Sequence, residues 1–364
     1  TSPTFMRLRS AVKARLPKAR FHTYSSVNTA NYRKGSRLAF GKVLSALVDF
    51  DKANTIVALD SDFLLTEPFA TRNARGFGRR RAIDSPNGSM NRLYVVEPGH
   101  SVTGAAADHR LRLPASQVGA YLVALAQTLA SKHSLPFPGL DGVLGQKADA
   151  SAFPKEWIEA VAEDLVNNRG AAPIFVGRNQ PAWVHALGHA VNAALGNHGQ
   201  CIHFHEALDA EEPDDVVADL KDLVTGLGSA KTLVVLGGNP VFDAPADVEF
   251  GKAIARDGLT VVHFGSHRDE TALNSSLHCP LASELEAWGD LLAVDSTYSV
   301  QQPLIAPLYD GWSPLSVLAR FAGREETNAY ALVRETIAER FPTDLFERDF
   351  RRRPCAQTGF GPQQ

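Results

Sequence analysis

Residues 232–240 read T-L-V-V-L-G-G-N-P, an apolar run that stops abruptly at Gly237, Gly238, Asn239 and Pro240. A continuous run of leucine and β-branched residues is the pattern of a parallel strand buried on both faces, and Gly-Gly-Asn turns tightly where a side chain would clash. In open α/β sheets ligands settle outside the carboxyl ends of the strands, so amides left free in such a loop can hold a phosphate or nucleotide. The same glycines would serve equally as a plain strand-to-helix connection. No G-x-G-x-x-G, Walker lysine motif or nucleophile elbow stands beside them, which removes support for ordinary dehydrogenase, kinase and hydrolase chemistry.

Outward from this stretch the pattern repeats. Residues 53–59 form a second apolar run, closed by Asp60, Ser61 and Asp62, and residues 93–96 a third, closed by Glu97, Pro98 and Gly99. The segment 64–89 between them is rich in arginine, glycine and asparagine and reads as a surface insertion. A helix over 117–131 and a connection between lobes over 134–149 follow. From residue 154 the pattern restarts with a helix over 156–168, a strand over 172–176 closed by Gly177, Arg178 and Asn179, and a helix over 181–195. Further strands are expected at 202–204, 232–236 and 260–264, with a helix over 247–255. Strands alternating with helices give right-handed crossovers and parallel sheets, so the fold class is α/β.

The 364 residues exceed the usual single core, and 44% hydrophobic with 21% charged residues is the balance of a globular protein. A formal net charge of -3 offers no global attraction to nucleic acid or anionic lipid. No apolar run approaches the roughly 20 residues that span a bilayer, and residues 1–11 lack the apolar core of an export signal. Cys201, Cys279 and Cys355 lie far apart with no C-x-x-C spacing, so they cannot hold a four-cysteine cluster. Arg72, Arg75, Arg79, Arg80 and Arg81 form the one basic cluster of note. Without interleaved aromatics it reads as a solvated or partner-docking face rather than a nucleic-acid site.

Several constellations carry candidate chemistry. His185 and His189 stand four apart on an expected helix, the spacing that puts two imidazoles on one face, with His203 and His205 nearby in sequence. A metalloprotease helix would need Glu where Ala186 stands, so helix packing is the competing reading. Asp60 and Asp62 would hold a metal or a ribose hydroxyl, or would cap the next element. Glu97, and the run His267, Arg268, Asp269 and Glu270, follow strand ends where nucleotide folds place polar ligands.

Taken together, I-V-A-L-D-S-D-F (56–63), V-V-E-P-G-H-S-V-T-G-A-A-A-D (95–108), L-V-V-L-G-G-N-P (233–240) and R-D-E-T-A (268–272) resemble the ordered landmarks of molybdopterin oxidoreductases. A narrower likeness lies in N-R-L-Y-V-V-E (91–97), A-D-H-R-L (107–111), V-H-A-L-G-H-A-V-N-A-A-L-G-N (184–197), N-P-V-F-D-A-P-A-D (239–247), L-E-A-W-G-D (285–290) and Q-P-L-I-A-P-L-Y-D (302–310). These resemble the molybdopterin-oxidoreductase-like part of the iron-sulfur subunit of bacterial alternative complex III, a quinol-oxidising electron-transfer complex. The resemblance runs from about residue 2 to 341.

The resemblance implies two Rossmann-like parallel-sheet domains. The first is discontinuous, 1–150 continued by 280–340; the second spans 154–279, with a tail or linker at 341–364. It also implies that Asp60, Ser61 and Asp62 replace a glycine-asparagine-proline loop, and that Glu97, Pro98 and Gly99 replace aspartate-proline-arginine. An acidic pair repels the phosphates that glycine amides attract, so half of a two-sided site is expected to be lost. By the same resemblance Gly237, Gly238, Asn239, Gly177, Arg178 and Glu97 are vestigial cofactor-binding positions, and no catalytic residue, molybdenum cofactor or metal is expected. Iron-sulfur clusters would belong to flanking parts outside this chain. The implied partners are the other subunits of a membrane-bound electron-transfer complex and a cluster-carrying ferredoxin-like part, with no direct membrane span and a location on the periplasmic face of the cytoplasmic membrane. The alternatives are a fragment of an active molybdopterin guanine dinucleotide enzyme, gripping the nucleotide through the glycine loops, and a metal hydrolase built on His185 and His189.

Overall fold

The computed structural model describes residues 1–83, 88–145, 153–207 and 213–340, and the backbone of Cys355–Ala356. The chain divides into two units, Asn28–Ala207 and the combination of Thr1–Val27 with Leu208–Gln364.

Among the described residues the unit Asn28–Ala207 contains six strands: β1 (Leu44–Val48), β2 (Thr55–Leu59), β3 (Arg92–Glu97), β4 (His109–Arg112), β5 (Ile174–Val176) and β6 (Ile202–Glu206). Four of them form a wholly parallel sheet in the order β4-β3-β2-β5. Alternation along the strands feeds two cores. Val57, Leu59, Tyr94 and Val96 face the helices Val118–His133, Lys155–Asn167 and Ala182–Ala194. Ile56, Ala58, Leu93 and Val95 face Phe50, Phe63 and Phe77. All five residues of β2 are buried because both faces of this central strand are covered, as a continuous apolar run requires. On the second face Phe63 stacks on Phe175 with ring centroids 4.7 Å apart and on Phe50 at 5.4 Å. Such pairs add about 0.5–1.5 kcal/mol beyond the area they bury.

The free edge of β5 is closed by side chains. Asn192 donates to the Ile174 carbonyl and accepts from its amide, both at 2.9 Å, and Asn197 does the same for Ala172 at 2.7 and 3.2 Å. The two asparagines are buried and joined by a further bond at 2.9 Å. They stand in for a neighbouring strand and blunt the sheet edge.

Two expectations differ from this arrangement. The strand over 172–176 was assigned to a second domain beginning at 154, yet β5 pairs in parallel with β2, Val57 opposite Ile174 and Leu59 opposite Val176. With β3 on one side, β2 has one open edge, and the apolar Ile-Phe-Val segment fills it. The strand at 202–204 was expected in a parallel sheet, but β6 pairs antiparallel with β1, Leu44 opposite Glu206 and Val48 opposite Ile202. The segment 64–89 carries the helix Ala70–Arg79, which buries Asn73, Gly76 and Phe77; residues 84–87 lie outside the described residues. The connection over 134–149 holds the short helix Asp141–Leu144, whose Leu144 carbonyl accepts from Gln127; its last residues are also outside the described ones.

The other unit holds the parallel sheet β7-β8-β9, formed by β7 (Thr232–Leu236), β8 (Thr260–Gly265) and β9 (Leu277–Pro280). Leu233 and Val261 pack with Leu220, Val248, Phe250 and Ile254 beneath it. An antiparallel sheet follows in the order β10 (Gly289–Leu292), β11 (Tyr298–Gln301) and β12 (Cys355–Ala356). Within this unit, residues from about 280 to 340 pack on the helix Pro3–Arg15. Leu8 and Val12 share a core with Tyr298, Leu315, Leu318, Leu332 and Ile337. Buried Asp290 accepts from Thr4 Oγ1 at 2.6 Å, from the Tyr298 hydroxyl at 2.7 Å and from Ser2. The expected tail at 341–364 lies outside the described residues except for the backbone of β12. No helix among the described residues is long and apolar enough to cross a membrane.

Candidate functional site

The carboxyl end of β7 is the loop the sequence singles out. Gly237 and Gly238 both adopt φ +78°, the left-handed region that favours glycine. The Gly237 amide donates to Phe264 O at 2.8 Å, extending the β7–β8 pairing by one bond. Asn239 is spent on structure. Its Oδ1 accepts from the Thr271 hydroxyl at 2.8 Å and the Thr271 amide at 3.1 Å, and its Nδ2 donates to Glu270 at 2.6 Å. The loops after β7 and β8 are thereby laced together. Among the described residues the amides of Gly238 and Asn239 have no hydrogen-bond partner, and Gly238 is exposed beside a strand end whose neighbour carries exposed Ser266, His267 and Arg268. Beneath the loop, fully buried His263 donates from Nε2 to the Gly238 carbonyl at 3.2 Å, and its Nδ1 lies 3.2 Å from His278 Nδ1. Sequence reasoning passed over this histidine pair, which lies fifteen residues apart on adjacent strands.

The corresponding end of the β4-β3-β2-β5 sheet is acidic and closed by its own side chains. Asp62 Oδ1 accepts from the Thr103 amide at 2.9 Å and the Thr103 hydroxyl at 2.7 Å. Glu67 accepts from the Arg178 amide at 3.1 Å. Glu97, whose side chain is 4% exposed, accepts from Arg110 Nε at 2.6 Å and from Ser101 Oγ at 2.5 Å. Asp60, at φ +51°, accepts from Gln180 at 2.8 Å. Two glycines permit this closeness: a Cβ on Gly177 would lie 1.7 Å from Asp60 O, and one on Gly104 would lie 1.8 Å from Glu97 Oε1. Burial raises the Asp60 carboxyl above the usual range, and the Glu97 charge adds to the rise. Burial likewise raises Glu67, with Asp60 and Asp62 adding repulsion against the amide of Arg178.

The sequence-singled residues therefore fall in two different units. Gly177, Arg178, Glu97, Asp60 and Asp62 share one sheet end, while Gly237, Gly238 and Asn239 belong to the other unit. Of the arginine cluster, Arg79 pairs with Asp51 at 2.8 Å, Arg80 bonds Asn54 at 2.8 Å and Arg81 binds Asp108, while Arg72, Arg75 and Arg79 are exposed.

His185 and His189 lie on the helix Ala182–Ala194 among aromatic rings. Tyr32 meets His185 edge-on at 5.8 Å, and Phe40 lies 4.9 Å from His189. Burial pushes His185 down to about 4 and His189 down to about 3, so both imidazoles are held neutral among these rings. His203 is exposed on β6. Among the described residues the side chains whose donor atoms cluster tightly enough to share an ion are instead His22, Asp219 and Asp222. They are already engaged: His22 lies 3.1 Å from Asp219, whose other oxygen accepts the Thr23 amide, and Asp222 pairs with Arg20.

No protein-family model matches the chain, and no curated protein matches its sequence. Solved structures do. Acetylene hydratase from Pelobacter acetylenicus superposes with a TM-score of 0.60 at 13% identity, over 82% of this chain and 51% of the hydratase. This chain thus spans about half the length of that enzyme. The formyltransferase/hydrolase complex from Methylorubrum extorquens, solved with methylofuran, superposes with a TM-score of 0.54 at 12% identity, over 93% of this chain and 90% of that one. At such identities the likeness is one of fold, α/β with parallel sheets, the class expected from the sequence.

Proposed function

We propose that this chain is a molybdopterin-oxidoreductase-like scaffold module of the iron-sulfur subunit of a quinol-oxidising electron-transfer complex, similar to alternative complex III, and that it works without a molybdenum cofactor of its own. One observation carries the reading. At the end of the β4-β3-β2-β5 sheet, the amides of Thr103 and Arg178 are capped by Asp62 and Glu67, and Arg110 is spent on Glu97.

A pterin guanine dinucleotide brings a pyrophosphate, which needs free amides and cations. Carboxylates cap those two amides, take Arg110 as a partner and add like charge, all of which disfavours a pyrophosphate at this end. The module's role would then be mechanical: to present surfaces to a cluster-carrying ferredoxin-like part and to other subunits at the periplasmic face of the membrane. The test is the molybdenum and guanine nucleotide content of protein purified from cells supplied with molybdate. Stoichiometric amounts of either would sink the reading.

A second reading, part of an active molybdopterin enzyme, is favoured by the unpartnered amides of Gly238 and Asn239. It requires guanine nucleotide to raise the melting temperature, since a ligand at 100-fold its Kd stabilises the native state by about 2.7 kcal/mol. No shift at saturating nucleotide would remove it.

A further inference from the structure

The segment 302–312 crosses the surface of its unit as a strap without regular structure, yet it is firmly held. Leu304 N donates to Leu285 O at 2.8 Å and Leu308 N to Glu286 Oε1 at 3.1 Å, while Trp312 exchanges backbone bonds with Pro280 and Ala282, each at 2.9 Å. Glu286 also accepts the Ser283 amide at 2.8 Å, and these two amides hold its carboxyl below the usual carboxylate range. Gln301 fastens the start of the strap by donating to Glu284 O at 2.8 Å.

A strap so anchored would be expected to turn polar side chains outward. It does the opposite: Leu304 is 77% exposed, Leu308 69%, Tyr309 79% and Ile305 49%, with Leu285 beside them at 57%. Single exposed leucines need no explanation, but a contiguous apolar group on an ordered backbone marks a surface that is covered in use. Order matters here, because a backbone already fixed loses little further entropy when a partner binds.

The charges nearest the strap along the chain point to what covers it. No lysine or arginine stands between Arg268 and Arg320, whereas Glu284 and Asp310 flank the apolar side chains and are exposed. Carboxylates around an apolar centre favour a cationic rim on the partner and repel an anionic lipid surface.

We infer that the strap 302–312, together with Leu285, is a docking surface for a partner-protein segment that presents apolar side chains among lysines and arginines. This deepens the scaffold reading and rests on it for the class of partner. The surface itself stands on exposure and charge alone.

The test uses the full chain and two fluorescent peptides: an amphipathic helix of leucine and lysine, and its counterpart with glutamate at every lysine. Fluorescence anisotropy is read at low and high salt for the wild type, Leu304→Ser with Leu308→Ser, Glu284→Lys with Asp310→Lys, and Leu38→Ser, a leucine 67% exposed in the other unit. The altered side chains are exposed, so unchanged melting temperatures are the check that every variant folds. The lysine peptide should bind the wild type and Leu38→Ser alike, about tenfold more weakly to the double serine variant. It should bind the charge-reversed variant about tenfold more weakly as well, and that variant should lose the preference over the glutamate peptide. Equal binding by all variants, equal binding of the two peptides, or a wild-type dimer that the serine variant dissolves would overturn the inference, the last by giving the surface to a second copy. Stoichiometric molybdenum would sink the scaffold reading and leave these affinities untouched, so the two failures are distinguishable.

Discussion

Arg110→Met probes whether Glu97 belongs to the fold or is free for a ligand. In the wild type Arg110 Nε donates to Glu97 Oε1 at 2.6 Å, and the Glu97 side chain is 4% exposed against 26% for Arg110. Removing one partner of a buried pair typically costs about 3–5 kcal/mol, because the remaining charge is left uncompensated. Two features reduce that figure here: Ser101 still donates to Glu97 at 2.5 Å, and the exposed side of Arg110 lets water enter the gap. The expected loss is therefore about 2–3 kcal/mol at neutral pH. Glu97→Gln added to Arg110→Met removes the stranded charge while keeping the shape beneath Gly104, so the double variant should recover about 1–2 kcal/mol of that loss. Urea unfolding of the wild type, both single variants and the double variant closes the cycle. A coupling energy below about 0.5 kcal/mol would refute the reasoning, since Glu97 would then be energetically free to bind a ribose or base.

Three further outcomes follow from the geometry. Asn192→Ala orphans the Ile174 amide and carbonyl and one donor of Asn197, and at about 1–3 kcal/mol per buried unsatisfied group it should cost about 3–5 kcal/mol in urea unfolding; a loss under about 1 kcal/mol would contradict the edge-capping role of this side chain. His189 titrates at about 3 in the folded protein against 6.5 unfolded, so its contribution is present above pH 6.5 and lost as pH falls from there towards 3; His189→Leu should flatten that part of the stability profile measured by thermal melts, and an unchanged profile would count against a neutral, packed imidazole. Glu67 is shifted the other way: its raised carboxyl favours the folded state only when protonated, a contribution complete below its ordinary value and lost as pH rises through the raised one. Glu67→Gln keeps an acceptor for the Arg178 amide, so it should melt higher than the wild type at neutral pH, with the difference shrinking as pH falls towards 4.5; a lower melting temperature at neutral pH would contradict this.

Much of the fold was legible because β2, β3 and β8 are apolar runs with buried residues on both faces, and β7 carries the same apolar run although only Leu233 in it is buried, a pattern that survives without knowledge of neighbours. The placement of β5 was not, since Ile-Phe-Val suits the edge of either parallel sheet and its position is decided by the open edge of β2 and by Asn192 and Asn197. β6 carried a readable sign that was passed over: Ile202, His203, Phe204 and His205 alternate apolar and polar residues, the signature of a ribbon with one covered face.

The site divides in the same way. Gly237 and Gly238 announce themselves, because two consecutive residues at φ +78° need glycine. The role of Glu97 depends on Arg110, reached through the pairing of β3 with β4, and that of Glu67 on Arg178, more than a hundred residues away. Such pairings are made by tertiary structure and leave no mark in local sequence. His185 and His189 show the converse. Their spacing shows in the sequence, whereas the Tyr32 and Phe40 rings packed against them and their burial come only with the fold.

The most direct measurement is the molybdenum and guanine nucleotide content per chain, by elemental analysis and by chromatography of the acid-released nucleotide, on protein purified from cells supplied with molybdate. The capped amides of Thr103 and Arg178 and the committed Arg110 predict amounts far below one per chain for both. One molybdenum and a matching quantity of guanine nucleotide per chain would contradict the account.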